Sequence, residues 1–209
     1  MASGRTDAGV HAEGQVVNFD ITESIDSQSI LRALNSVLPW DIRIKNVVET
    51  DSLFHSRFCA KSREYRYLFS EVNVPLYLRN FVTHIGFVPE TSVFDALSQI
   101  MIGEHDFSVF RSRGSSEKTT VRCVNRFEIE HIVMPNLYGR DEVFEYYCLI
   151  IEANSFLYRM VRNLMGSIFE VLKAKRSVSE FSDQVLRAEK KYLFTTAPPQ
   201  GLSLVKVNY

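Results

Sequence analysis

Residues Gly4-Arg5-Thr6-Asp7-Ala8-Gly9-Val10-His11-Ala12 set a cation, a hydroxyl and a carboxylate side by side among small residues. Gly4 and Gly9 permit positive φ and close backbone approach, so the stretch reads as a loop rather than a regular element. Arg5 beside Asp7 supplies a fixed charge that keeps the carboxylate ionised wherever the two side chains meet. An ionised carboxylate in a tight loop can act as a nucleophile, a base or a metal ligand. The same residues also suit an ordinary Asp/Gly turn with an incidental ion pair, and composition does not separate the two.

Two further stretches carry chemistry. Between Phe54 and Phe69, Arg57, Lys61, Arg63 and Arg66 are interleaved with Phe54, Phe58, Tyr65, Tyr67 and Phe69. On a strand, Arg63, Tyr65, Tyr67 and Phe69 share a face and Arg66 takes the other. Cations beside rings suit a nucleic acid, with charge on phosphate and stacking on an unpaired base. A core strand with solvated arginines at its edge fits the pattern equally. From Phe156 to Lys175 the spacing predicts a helix with Met160, Val161, Leu164, Met165, Ile168, Phe169, Val171 and Leu172 on one half of the wheel. Arg162 falls at the margin of that half, while Asn163 and Glu170 face outward. An arginine there either reaches into the protein or snorkels to solvent.

The first motif, continued by Gly14-Gln15-Val16-Val17-Asn18-Phe19, resembles the signature of the TruA family, the tRNA pseudouridine synthases of the anticodon stem-loop. The resemblance makes Asp7 the catalytic carboxylate. Phe54 to Tyr67 is similar to the family's Phe-x-Ala-Arg and Arg-x-Tyr-x-Tyr stretch, with Ser56 at the Ala place, and Tyr65 takes the position that packs on the target base. Tyr67 and Phe69 stay in the core. Phe156-Leu157-Tyr158-Arg159-Met160-Val161-Arg162-Asn163-Leu164-Met165-Gly166 resembles the family's helix motif, in which Arg162, and not Arg159, pairs with the catalytic Asp. Ala197-Pro198-Pro199-Gln200-Gly201-Leu202 is similar to a family turn that has Glu where this chain has Gln200. The strand after it borders the family's active site, so Leu202 or Leu204 is a candidate for the pocket wall, ordinary strand packing being the other reading.

The totals set bounds. At 209 residues, 45% apolar and 23% charged, the chain can bury a core as one large or two small domains. No long apolar run points to a membrane span, and the N-terminus lacks the pattern of a signal peptide. Cys59, Cys123 and Cys148 fit neither a disulfide framework nor a zinc site, which suits a cytoplasmic protein. A net charge of −1 and a pI near 6.5 give no general sign of nucleic acid, whose binding domains often exceed a pI of about 9, so cations must gather locally.

The elements that position these residues follow from periodicity. Gln15 to Ile21 alternates as a half-buried strand. Asp26 or Ser27 caps a helix with Ile30, Leu31, Leu34, Val37 and Leu38 as its stripe, stopped by Pro39. Asp41 to Val48 reads as a second strand. Asn73 to Tyr77 is a connection. Thr91 or Ser92 caps a helix with Val93, Phe94, Leu97, Ile100 and Met101 inward, ended by Gly103. His105 and Asp106 read as local hydrogen bonding. Arg111 to Arg126, centred on Gly114-Ser115-Ser116, is a basic loop that either orders on RNA or is simply solvated. Phe127 to Val133 and Val143 to Glu152 form a hairpin around Pro135 to Gly139. The latter is apolar on both faces and so central. A short helix with Phe181, Val185 and Leu186 inward and a final strand close the chain.

The resulting fold class is α+β. Residues 53–209 read as a ferredoxin-like (split βαβ) unit, and residues 1–52 as the latter part of a second such unit carrying the catalytic loop. The resemblance implies that the two form one extended antiparallel sheet with a central cleft. It also implies about fifty residues before the first motif, one strand and one helix at usual lengths, so the first unit reads as N-terminally incomplete. The chain accordingly resembles about four-fifths of a family member, with Met1 either internal to a longer protein or the start of a truncated form.

Pseudouridine formation breaks the N1–C1′ bond of uridine, turns the uracil and joins C5 to C1′. The resemblance implies no cofactor and no metal, tRNA as partner at positions 38 to 40, a homodimer and no membrane. Asp7 acts at the sugar or the base, Arg162 and Arg5 orient it, Tyr65 stacks on the flipped uracil, and cations of 57–66 and 111–126 hold phosphates. The alternative is a catalytically inactive tRNA-binding fragment of such an enzyme. An unrelated metal-dependent nucleic-acid hydrolase would need clustered carboxylates, and no such cluster is visible.

Overall fold

A computed structural model describes residues 1–114, 117–135 and 143–209. The expected loop centre at Ser115-Ser116 and the hairpin turn at Asn136 to Gly139 lie outside the described residues.

The aromatic alternation of Ser62–Ser70 makes β2, the strand around which the sheet is built. In chain order the elements are β1 (His11–Ala12), α1 (Ser27–Val37), β2, β3 (Thr83–His84), α2 (Phe94–Met101), β4 (Gly103–Asp106), β5 (Val121–Pro135), β6 (Val143–Ala153), α3 (Met160–Leu172), α4 (Val178–Leu186) and β7 (Leu202–Asn208). The strands form one sheet in the order β1-β7-β2-β6-β5-β4, with β3 beside β2. Pairing is antiparallel except for β1 with β7 and β2 with β3. Mixed α+β architecture on one extended, mostly antiparallel sheet is therefore the fold class.

One face of the sheet carries the core. Tyr67, Phe69, Leu149 and Ile151 pack with Leu97 and Met101 of α2 and Met160, Leu164, Met165 and Ile168 of α3, all fully buried. β6 lies between β2 and β5, as its two apolar faces require. On its second face Cys148 and Ile150 are also buried. Their cross-strand neighbours there are Leu68, Arg66, Glu128 and Glu130, whose stems shield them. Glu64 lies 7% exposed on that face, bridged by Arg66 at 3.1 Å and Arg126 at 3.5 Å.

Several expectations change. Gln15–Ile21 is not a strand: among the described residues its only bridge is Val17 with Ala2, and Val17, Phe19 and Ile21 are about half exposed. Asp41–Val48 forms no strand either. Alternation alone does not make a strand without a neighbour to take its backbone groups. α1 forms with Asp26 as its cap, yet none of its residues is buried. The turn before α2 is capped by Glu90, whose carboxylate accepts from Ser92 N, and not by Thr91 or Ser92. Gly103, at φ +110°, opens β4, a strand not expected from the sequence, which contains His105 and Asp106. Residues 121–126, expected in a loop, begin β5. α3 starts at Met160, four residues later than expected, because Arg159 sits in the left-handed region at φ 59°. Leu186 is exposed, and Gln184 takes the buried place on α4.

Candidate active site

The Asp7 loop is fixed at both ends and free in the middle. Ser3 O accepts from Arg63 Nη2 at 3.0 Å, and Ser3 N donates to Val16 O at 2.8 Å. Gln15 brackets the same corner, donating to Gly4 O at 2.9 Å and accepting from Ser3 Oγ at 2.7 Å. Beyond Asp7, Val10 N donates to Asp7 O at 3.0 Å, closing a turn through Gly9 at φ +81°. A side chain at Gly9 would be strained by that φ and would meet Pro199 at 3.0 Å. His11 then stacks on Phe81 at 4.6 Å and enters β1, which pairs with β7.

Arg63 is the anchor of this arrangement. Buried and without a carboxylate partner among the described residues, it donates to four carbonyls, those of Ser3, Arg57, Ala60 and Asn154. It thereby ties the start of the Asp7 loop to the exit of β6, which leads to α3. Arg63 is thus not available to a phosphate.

At the centre, Arg162 Nη1 donates to Asp7 Oδ2 at 2.7 Å. Arg162 is aimed by the chain beyond it: its Nε donates to Ala197 O at 2.9 Å, and Ala197 N returns a bond to Arg162 O at 3.0 Å. Asp7 is 18% exposed and Arg162 13%, so the pair lies at the floor of the site rather than on the surface. A second cation stands on the same oxygen. Arg159 Nε lies 3.6 Å from Asp7 Oδ2, although sequence reasoning assigned Arg159 no part. The signal that could have found it is the three-residue spacing of Arg159 and Arg162.

Arg5 does not take the place expected of it. Its exposed side chain makes no ion pair with Asp7 among the described residues; the Asp7 carboxylate is taken by Arg162 and Arg159. Tyr65 stands across from both Ile151 and Leu204 in the sheet, and its ring meets Phe156 edge-on at 5.0 Å. Burial, with a further push from the Asp7 charge, raises its phenol to about 12, so it is neutral at physiological pH. Leu202 and Leu204 are both buried in the sheet on the Tyr65 face. The site thus brings together a carboxylate, two guanidinium groups and a neutral ring carried by an interior strand of the sheet.

A family model described as tRNA pseudouridine synthase matches residues 97–209. Three relatives match all of the chain and carry the name tRNA pseudouridine synthase A. That of Geobacillus sp. (strain WCH70) is 39% identical over 211 residues, 80% of its length. That of Thermoanaerobacter sp. (strain X514) is 35% identical over 211 residues, 82% of its length. That of Chloroflexus aurantiacus (strain ATCC 29366 / DSM 635 / J-10-fl) is 37% identical over 212 residues, 73% of its length. The chain belongs to the tRNA pseudouridine synthase family.

In this pseudouridine synthase the remaining expected contacts sort by what they touch. Arg66 and Arg126 are held by Glu64, with Glu128 a further partner of Arg126, on the sheet face away from the helices. Arg122 is buried and donates to Thr119 and Val121 carbonyls. Arg57, Lys61, Arg111, Arg113 and Lys118 are exposed. Asn163, expected to face outward, is buried and holds Phe110 O and Ser112 Oγ, so the start of the basic loop is pinned to α3 beside Arg162. His105 bonds Ile102 O, and Asp106 caps the turn at Ser108 and also meets the Thr120 hydroxyl. Among the described residues no three His, Cys, Asp or Glu side chains converge, and no helix is long and apolar enough to cross a membrane.

Proposed function

We propose that this member of the family converts uridine to pseudouridine in the anticodon stem-loop of tRNA, at positions 38 to 40, with Asp7 as the catalytic residue. The observation that carries this is the Asp7–Arg162 pair at 2.7 Å, seated in the loop whose sequence resembles the TruA signature. Arg162 directs the carboxylate through its hydrogen bond, and Tyr65 offers its ring to the uracil. Arg159 sits beside the same oxygen, and Arg5 on the open rim is set to meet the incoming RNA. The reaction as written needs no cofactor or metal. The resemblance further supports a cytoplasmic homodimer with the RNA spanning both subunits.

The same reading divides the chain into residues 1–52, carrying the catalytic loop, and residues 53–209, a ferredoxin-like unit. Supporting the latter, β2, α2, β5, β6, α3 and β7 follow one another as strand, helix, strand, strand, helix, strand, and the sheet order is β7-β2-β6-β5. A second reading, an inactive tRNA-binding protein, is favoured by one observation: residues 15–61 contain no ladder strand and expose Phe19, Trp40 and Val48.

The deciding experiment is release of tritium from tRNA labelled at uridine C5, since the C5–C1′ bond forms only as that hydrogen leaves. We expect release by the parent and a loss of at least about three orders of magnitude in Asp7→Ala. Equal release by both would defeat Asp7. Silence from the parent with tRNA still bound would establish the second reading.

A further inference from the structure

Beyond the catalytic pair, a cavity of about 430 Å³ opens between the segment after β4 and the chain following α4. Its lining includes Arg111, Arg113, Lys190 and Tyr192, and no carboxylate. The three cations are exposed and form no ion pair among the described residues, whereas Glu64, Asp7 and Glu128 hold the arginines around the sheet. Lys190 acts on Asp106 only as the weakest of the influences on that carboxyl. Three cations around one concavity, none in an ion pair among the described residues, make a locally positive surface in a chain of net charge −1.

The cavity is joined to the active site by a short path. Ser112, between Arg111 and Arg113, donates from its backbone to Tyr158 O at 3.1 Å. The next residue is Arg159, at Asp7. On the far wall, Tyr192 is held beneath Arg176 at 5.1 Å, and Arg176 is fastened to Leu193 O, Ser167 and Gln184. The far wall is therefore tied to α3 through Ser167 and to α4 through Gln184.

Resting on the function proposed above, we propose that this cavity binds the phosphodiester backbone of the tRNA strand that delivers the target nucleotide to Asp7. Arg111 and Arg113 take one side of the strand and Lys190 the other. The occupant is a polyanion and not a single ion, because the three charges are spread around an open concavity rather than converging on one point.

The test compares the full-length parent with R111Q/R113Q/K190Q and with a control, R32Q/R43Q/K175Q, whose cations are exposed elsewhere. Equilibrium binding of tRNA is measured across a salt series, with thermal melting to confirm that both variants fold. The cavity variant should lower the slope of log Kd against log salt by about 2, as loss of three phosphate contacts requires, and the control should leave it unchanged. Tritium release at saturating tRNA should stay within about twofold of the parent for the control, whose residues lie outside the catalytic and binding machinery. An unchanged slope in the cavity variant, or an equal fall in the control, would overturn the proposal. So would a thermal shift of the parent by inorganic phosphate that the cavity variant lacks, if the RNA slope were unchanged: the cavity would then hold a free anion. A parent that releases no tritium defeats the reaction but not the slopes, so the two failures are distinguishable.

Discussion

Arg162 and Asp7 stand 155 positions apart in sequence and meet at 2.7 Å, the guanidinium donating to the carboxylate. The contact is possible because two separate devices converge on it. Arg63 and Gln15 hold the start of the Asp7 loop, and the Ala197 carbonyl fixes the rotation of the Arg162 side chain.

The two arginines at Asp7 should differ in consequence. Arg162 is largely enclosed and makes a short charged hydrogen bond, a contact worth about 1.5–3 kcal/mol. Arg162→Met should cut tritium release at saturating tRNA by about 10- to 150-fold. Arg159 is 43% exposed and 3.6 Å away, so solvent screens it and Arg159→Met should cost less than about fivefold. Equal losses in the two variants would show that Arg159 contributes as much as Arg162.

Gly166 on α3 lies under the chain that aims Arg162. A methyl group there would fall 1.9 Å from Thr195 O, two residues before Ala197. Gly166→Ala should lower the unfolding free energy by about 1–3 kcal/mol, despite the better helix propensity of alanine. Because Thr195 must move, tritium release should fall as well while tRNA affinity holds. A variant as stable and as active as the parent would show that segment 195–197 shifts without cost.

Alkaline pH should destabilise the fold. Burial raises the Tyr65 phenol to about 12 and pushes Tyr67 up further, against an ordinary value of about 10. Above pH 10 the unfolded chain releases these protons while the folded chain keeps them, so stability is intact below pH 10 and falls as pH rises towards 12. Urea unfolding at pH 8 and pH 11 measures this, and Tyr65→Phe should shrink the difference. Burial likewise lifts the Cys148 thiol to about 11, whereas Cys59 is exposed. At pH 8, iodoacetamide should modify Cys59 in the native protein and Cys148 only after unfolding.

Much of the site was legible before any fold. Asp7, Tyr65 and Arg162 sit in local strings of loop, strand and helix, and a string resembling a family carries its residue types in register. Periodicity also found β2, β5, β6, α3 and β7, because each buries a face whose pattern is written in its own residues.

Tertiary structure alone decided the rest, and the reason is that partners lie far away in sequence. Gln15–Ile21 alternates like a strand, yet a strand exists only where a neighbour takes its backbone groups along a ladder, and among the described residues it has a single β-bridge, to Ala2. Arg5 lies two positions from Asp7 and forms no ion pair with it among the described residues, while Arg159 and Arg162 come from far along the chain. Arg63, Arg122 and Arg126 looked like phosphate ligands by type, but carbonyls and carboxylates of the fold claimed them. Residue type fixes what a side chain can do. Which group it meets is set by the packing of α3, the Ala197 segment and the Asp7 loop against one another.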